Sequence, residues 1–162
     1  MKIKKKVFTT NSFKETQKLG RDFAKVLETG DVVCLYGDLG SGKTTFVQGL
    51  AERLGIKRRI ISPTFIIVRC YELQIQNSKL KSQNYNSKFK SLERFYHIDL
   101  YRVESKKDLE SLGIEEIINN KNNIIVIEWA QNLKSLMPEK RIDLRFSYEK
   151  DKVRKITFSL TT

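Results

Sequence analysis

The sequence predicts an α/β fold of three layers, a mixed central sheet with helices on both faces. Three observations predict it. The apolar runs DVVCLY (31–36) and NIIVIEW (123–129) are too short for helices and read as strands covered on both sides. Segments with apolar residues at helical spacing alternate with such runs. The C-terminal segments RIDLRFSYE (141–149) and VRKITFSL (153–160) alternate their faces and read as a hairpin, which makes the sheet mixed.

In chain order, residues 2–9 alternate loosely and read as an edge strand. Ser12 followed by Glu15 forms a capping box, and Leu19, Phe23, Val26 and Leu27 continue a helix that stops near Gly30. After the 31–36 strand, residues 43–54 place Val47, Leu50, Ala51 and Leu54 on one helical face, with Gly55 as the stop. FIIVRCYE (65–72) reads as a strand and RFYHID (94–99) as its partner. Between them, ten of the 18 residues at 74–91 are Ser, Asn or Gln, and the apolar ones keep no period, which predicts a flexible loop insertion. Ser105 with Asp108 caps a helix running to about residue 119.

The 162 residues suit a single domain spanning 1–162, and 40% apolar with 10% aromatic residues excludes a disordered chain. No apolar run is long enough to span a membrane, and MKIKKKVFTTNSFKE lacks the apolar core of a secretory signal. Cys34 and Cys70 sit inside apolar runs and read as buried thiols in a reducing cytosol. The net charge is +12, and eight of those charges are Lys2, Lys4, Lys5, Lys6, Lys79, Lys81, Lys88 and Lys90 in two segments without an acid. Two readings stay open, solvated Lys-rich segments or a nucleic-acid-binding arm, and no Arg–aromatic stripe points to base recognition.

The strongest chemical signal is Gly37-Asp38-Leu39-Gly40-Ser41-Gly42-Lys43-Thr44, a complete GxxxxGK[ST] between a buried strand and an amphipathic helix. Glycines let the backbone curl so that N–H groups point at phosphate oxygens, and the helix start adds its positive dipole end. Lys43 reaches the β- and γ-phosphates, and the Thr44 hydroxyl is placed for Mg2+. The expected architecture is therefore P-loop NTPase-like. Such a site needs a further carboxylate at the end of a neighbouring strand, and both Asp99 and Glu128 end apolar runs at the expected carboxyl edge. The guanine-reading NKxD is absent, the nearest string being Asn120-Lys121-Asn122-Asn123, which favours ATP. Trp129, the sole Trp, packs on nucleotide or on core. His97 has no nearby Cys or second His, so it reads as a structural or supporting group beside Asp99.

GDLGSGKTT (37–45), SPTF (62–65), HIDLYR (97–102), LESLGIEE (109–116) and IEWA (127–130) stand in the order found in TsaE, also called YjeE, and the chain resembles that family over residues 10–160. The resemblance implies a small cytoplasmic ATPase that works with TsaB and TsaD. Together they place a threonylcarbamoyl group on N6 of adenosine 37 in tRNAs reading codons that begin with A, with tRNA engaged indirectly. It implies that the P-loop from Asp38 through Leu39, Gly40, Ser41, Gly42 and Lys43 holds phosphates, and that Thr44 and Glu128 hold Mg2+. Thr45 would lie near the α-phosphate, Thr64 in a switch-like loop near the γ-phosphate, and Trp129 close to the nucleotide. Asp99 would orient or activate the attacking water. The family's turn before HIDLYR is usually short, so the 74–91 stretch is a departure that leaves the phosphate site untouched and bears on the partner surface. No built-in arginine finger is identifiable, Arg102 being a candidate only through its place in HIDLYR, which implies weak activity alone and a rise with partners. The rivals are a nucleotide-gated adaptor that does not depend on hydrolysis and a small-molecule kinase, the latter disfavoured because 74–91 holds no Arg for a lid.

Overall fold

A computed structural model describes residues 5–63, 66–73, 92–149 and 152–161 of the chain. The expected insertion at 74–91 and Thr64 lie outside the described residues. The elements run β1 (Lys5–Thr10), α1 (Phe13–Phe23), β2 (Val32–Tyr36), α2 (Lys43–Arg53), β3 (Val68–Glu72), β4 (Arg94–Asp99), α3 (Lys106–Ser111), α4 (Ile114–Asn119), β5 (Asn123–Glu128), a 3-10 helix (Ala130–Leu136), β6 (Arg141–Tyr148) and β7 (Arg154–Thr161). The strands form one mixed sheet in the order β1-β7-β6-β2-β5-β4-β3. Its centre, β6-β2-β5-β4, is parallel, while β1, β7 and β3 join antiparallel.

Alternation along the strands divides the core between two faces. Val33, Leu35, Phe95, Ile124 and Val126 face α1 and α2, meeting Phe46, Val47 and Leu50. Val32, Cys34, Ile98, Ile125 and Ile127 face α3, α4 and the 3-10 helix, meeting Leu109, Ile114 and Leu133. Every residue of β2 and β5 is buried, as expected of doubly covered strands. Among the described residues no helix is long and apolar enough to cross a membrane.

Several local expectations change. The first helix ends at Phe23, because Lys25 and Val26 donate to the carbonyls three residues back and tighten the turn. That turn sends Leu27 into the core and leaves Val26 64% exposed. The Ser12 hydroxyl accepts from Glu15 N at 3.1 Å, but the Glu15 carboxylate accepts from Asn11 N at 2.8 Å, so the expected box closes one residue early. The helix expected from Ser105 to about 119 breaks at Gly113, whose φ of +63° turns the chain between α3 and α4. The Ser105–Asp108 capping box forms in both directions. Cys34 is buried on central strand β2, whereas Cys70 sits on edge strand β3 and is exposed.

Candidate functional site

The site lies where β2, β4 and β5 end. Strand β2 is buried to Tyr36, and the chain then turns through Gly37–Gly42 into α2. Gly37 and Gly42 take φ of +139° and +104°, and side chains there would meet neighbours. A Cβ on Gly37 would lie 2.4 Å from Phe146 O, and one on Gly42 would lie 2.9 Å from Arg154 Cδ. No side chain caps α2, so unpaired N–H groups and the positive helix end stand at the turn.

Lys43 is 3% exposed. Its Nζ donates to Gly37 O at 2.7 Å and Asp38 O at 3.0 Å, and lies 4.5 Å from the Trp129 ring centroid. Burial pulls its pKa below the ordinary lysine value, and the negative charges of Glu128, Asp99 and Asp38 oppose that pull.

Two carboxylates face this cation. Strand pairing sets Asp99 at the end of β4 in register with Glu128 at the end of β5. The Thr44 hydroxyl donates to Glu128, with Oε1 at 2.9 Å and Oε2 at 3.1 Å. Asp99 accepts from the Ser62 hydroxyl and, at 3.0 Å, from the Tyr101 amide. The Tyr101 and Trp129 rings pack with centroids 4.9 Å apart, and Trp129 adopts φ of +57° at the step from β5 into the 3-10 helix.

The result is a cleft of about 200 Å³ lined by Leu39, Gly40, Gly42, Lys43, Thr44, Thr45, Asp99, Glu128 and Trp129 among the expected residues, together with Ser62 and Tyr101. Leu39 is 75% exposed. Asp38 and Ser41 are outside the lining and shape the turn, where the Ser41 amide donates to Asp38 O at 3.2 Å. Thr64 falls outside the described residues. Arg102 is exposed and does not line the cleft.

His97 is a buried supporting group, as expected, but the acid it supports differs. Its buried Nε2–H donates to Glu128 Oε1 at 2.9 Å rather than serving Asp99. The parallel register puts His97 and Glu128 on one face of neighbouring strands, which spacing along either strand alone does not reveal. Ser62 and Tyr101 stand inside the strings SPTF and HIDLYR, which was the available signal for them. Tyr148 donates to Gly40 O, and Arg154 lies 5.5 Å over the Tyr148 ring, so the β6–β7 hairpin backs the P-loop without any local sequence signal.

Chemically, one wall offers N–H donors and an ammonium group, and the other offers carboxylates and a hydroxyl. That combination suits a polyphosphate that arrives with a divalent cation.

A family model described as "Threonylcarbamoyl adenosine biosynthesis protein TsaE" matches residues 10–156. The protein of Rickettsia typhi named tRNA threonylcarbamoyladenosine biosynthesis protein TsaE is 36% identical over 137 residues, covering 84% of this chain and 82% of its own. The Bacillus subtilis protein of the same name is 35% identical over 145 residues, covering 90% and 79%. Among solved structures, the crystal structure of Bacillus subtilis YdiB superposes with a TM-score of 0.74 at 28% identity, covering 100% of this chain and 89% of that one. With the P-loop, the paired strand-end carboxylates and the match over residues 10–156 together, the chain belongs to the TsaE family of tRNA threonylcarbamoyladenosine biosynthesis proteins.

Proposed function

We propose that this chain is an ATP hydrolase that drives a step in threonylcarbamoylation of N6 of adenosine 37 in tRNAs reading codons that begin with A, in the cytoplasm and together with TsaB and TsaD. Residues 1–162 act as one ATPase domain, with 74–91 an insertion, and tRNA is engaged through the partners. Membership of the TsaE family supports the pathway. The observation that carries the ATPase reading is the Thr44–Glu128 pair beside the P-loop, with Asp99 in register next to it.

The residues fit Mg2+ held with the nucleotide. Thr44 and Glu128 present hard oxygen donors that already meet within 3.1 Å. An ion that arrives with a nucleotide is held by one or two protein ligands together with phosphate oxygens. Bound there, Mg2+ neutralises charge on the phosphate oxygens.

Lys43 and the amides of Asp38–Thr45 bind the phosphates, and Thr64 is assigned a role near the γ-phosphate. Opposing charges from Glu128 and Asp99 help keep the buried Lys43 ammonium protonated for that contact. Asp99 orients the attacking water and takes its proton, while the Ser62 hydroxyl and Tyr101 amide fix that carboxylate. Trp129 screens the nucleotide from solvent. No arginine among the described residues lines the cleft. A cation supplied in trans to a P-loop site is worth ~10³–10⁵ in rate.

The test is steady-state ATP hydrolysis by the chain alone and with TsaB and TsaD. Weak turnover alone, a clear rise with the partners and loss of both on Lys43→Ala are expected. Equal rates with and without partners would remove the partner-dependent reading, and unchanged ATP affinity in Lys43→Ala would remove the site.

A further inference from the structure

We infer that His97 is a positioning residue that ties down one oxygen of Glu128 and leaves the other, with Thr44, for the divalent cation that accompanies the nucleotide. The inference rests on the ATPase reading and names a residue outside the phosphate-binding motif.

Phe95, His97 and Asp99 of β4 share the α2 face with Ile124, Val126 and Glu128 of β5. Along these columns the side chains change from apolar at the buried end to charged at the carboxyl edge, with His97 in between. The His97 and Glu128 side chains are 0% and 3% exposed. Position 97 could be filled by an apolar residue at less desolvation cost, because His97 Nδ1 is buried and has no hydrogen-bond partner among the described residues. The ring's one hydrogen bond runs from Nε2–H to Glu128 Oε1. That bond is what the position gains from a polar residue.

The donors on Glu128 are unequal. Oε1 receives both His97 and Thr44, whereas Oε2 receives the Thr44 hydroxyl alone. Once Thr44 turns its oxygen to a cation, His97 still anchors Oε1, so Oε2 is the oxygen left to bind. A residue that orients a carboxylate ligand in this way acts on metal affinity rather than on phosphate contact.

The experiment measures ATP affinity of the full chain by calorimetry and Trp129 fluorescence, once with Mg2+ and once with EDTA. Wild type is expected to bind more tightly with Mg2+. His97→Leu is expected to lower affinity for Mg2+ in the nucleotide complex by ~10–100-fold while its affinity in EDTA stays at the wild-type value. His97→Gln, whose side-chain amide can reach Glu128, is expected to recover most of the loss. Where His97→Leu fails to fold, His97→Asn replaces it, because its amide stops short of Glu128 and the same loss is expected. A wild-type chain indifferent to Mg2+ sinks the ATPase reading itself. A responsive wild type with an equally responsive His97→Leu or His97→Asn overturns only the role of His97. Equal losses with and without Mg2+ overturn it too, as a purely structural role would produce them.

Discussion

Two buried carboxylates on neighbouring parts of the sheet are treated in opposite ways. Asp143 of β6 is saturated: it accepts from Tyr36 Oη at 2.9 Å, Arg141 Nε at 3.0 Å and Thr161 Oγ1 at 3.3 Å. One of those donors is a permanent cation, so the charge is neutralised within the fold. Glu128 of β5 is as deeply buried, at 2% exposure against 5% for Asp143, yet its hydrogen-bond donors are the His97 ring and the Thr44 hydroxyl. The nearby Lys43 ammonium spends its bonds on Gly37 O and Asp38 O. A carboxylate paired with a fixed cation holds the structure together, whereas one held by a ring nitrogen and a hydroxyl that can turn away suits the proposed role beside an incoming cation.

The largest effect should come from Glu128→Gln, which removes the charge and keeps the shape. Turnover is expected to fall ~10²–10³-fold, the scale for losing one preorganised electrostatic group. The unfolding midpoint should move by less than about 4 °C. A large loss of stability in this variant would erase the contrast with Asp143. Next is Asp143→Ala, which strands the Arg141 charge and the Tyr36 hydroxyl and should cost about 3 kcal/mol in urea unfolding. ATP affinity of the folded protein should not change, and a parallel loss of affinity would show that the two acids are not separate.

The smallest effect concerns a third arrangement. Asp22 is half-buried, its side chain 41% exposed, and takes bonds from Lys18 at 2.8 Å and Lys25 at 2.6 Å, which hold its pKa down at about 2 rather than 3.8. A carboxyl depressed in the fold adds stability above its unfolded value and loses it as pH falls from 3.8 towards about 2. With solvent screening the contribution is at most about 1 kcal/mol. The stability difference between wild type and Asp22→Asn should therefore narrow across that window and stay flat above it. A difference that grows on acidification would reverse the assignment.

The same contrast explains what could be read along the chain. The P-loop was legible because the turn is contiguous, with its glycines, Lys43 and Thr44 within one short stretch. Strands β2 and β5 were legible because double burial leaves continuous apolar runs, and Ser105–Asp108 because a helix cap is local. Asp99 and Glu128 were legible as acids ending such runs. The resemblance put Thr44 beside Glu128, but the other partners of those acids were not legible. Whether His97 serves Asp99 or Glu128 depends on how β4 and β5 pair, and the expectation chose the acid on its own strand. Gly113 shows a similar limit. Apolar spacing continues across it, but the left-handed turn there lets both α3 and α4 lay their apolar sides on the sheet.

Local chemistry specified where the P-loop turn lies and which carboxylates stand at the sheet's edge, because those properties reside in a few consecutive side chains and their backbone. Neighbourhood chemistry came from the strand order. It joined Thr44 to Glu128 across 84 residues and Tyr148 to Gly40 across 108, and it gave Asp143 an arginine while leaving Glu128 with an imidazole and a hydroxyl. Periodicity says which face a side chain occupies, but burial against distant residues decides what it touches there, and that is what separates a structural acid from one free to act.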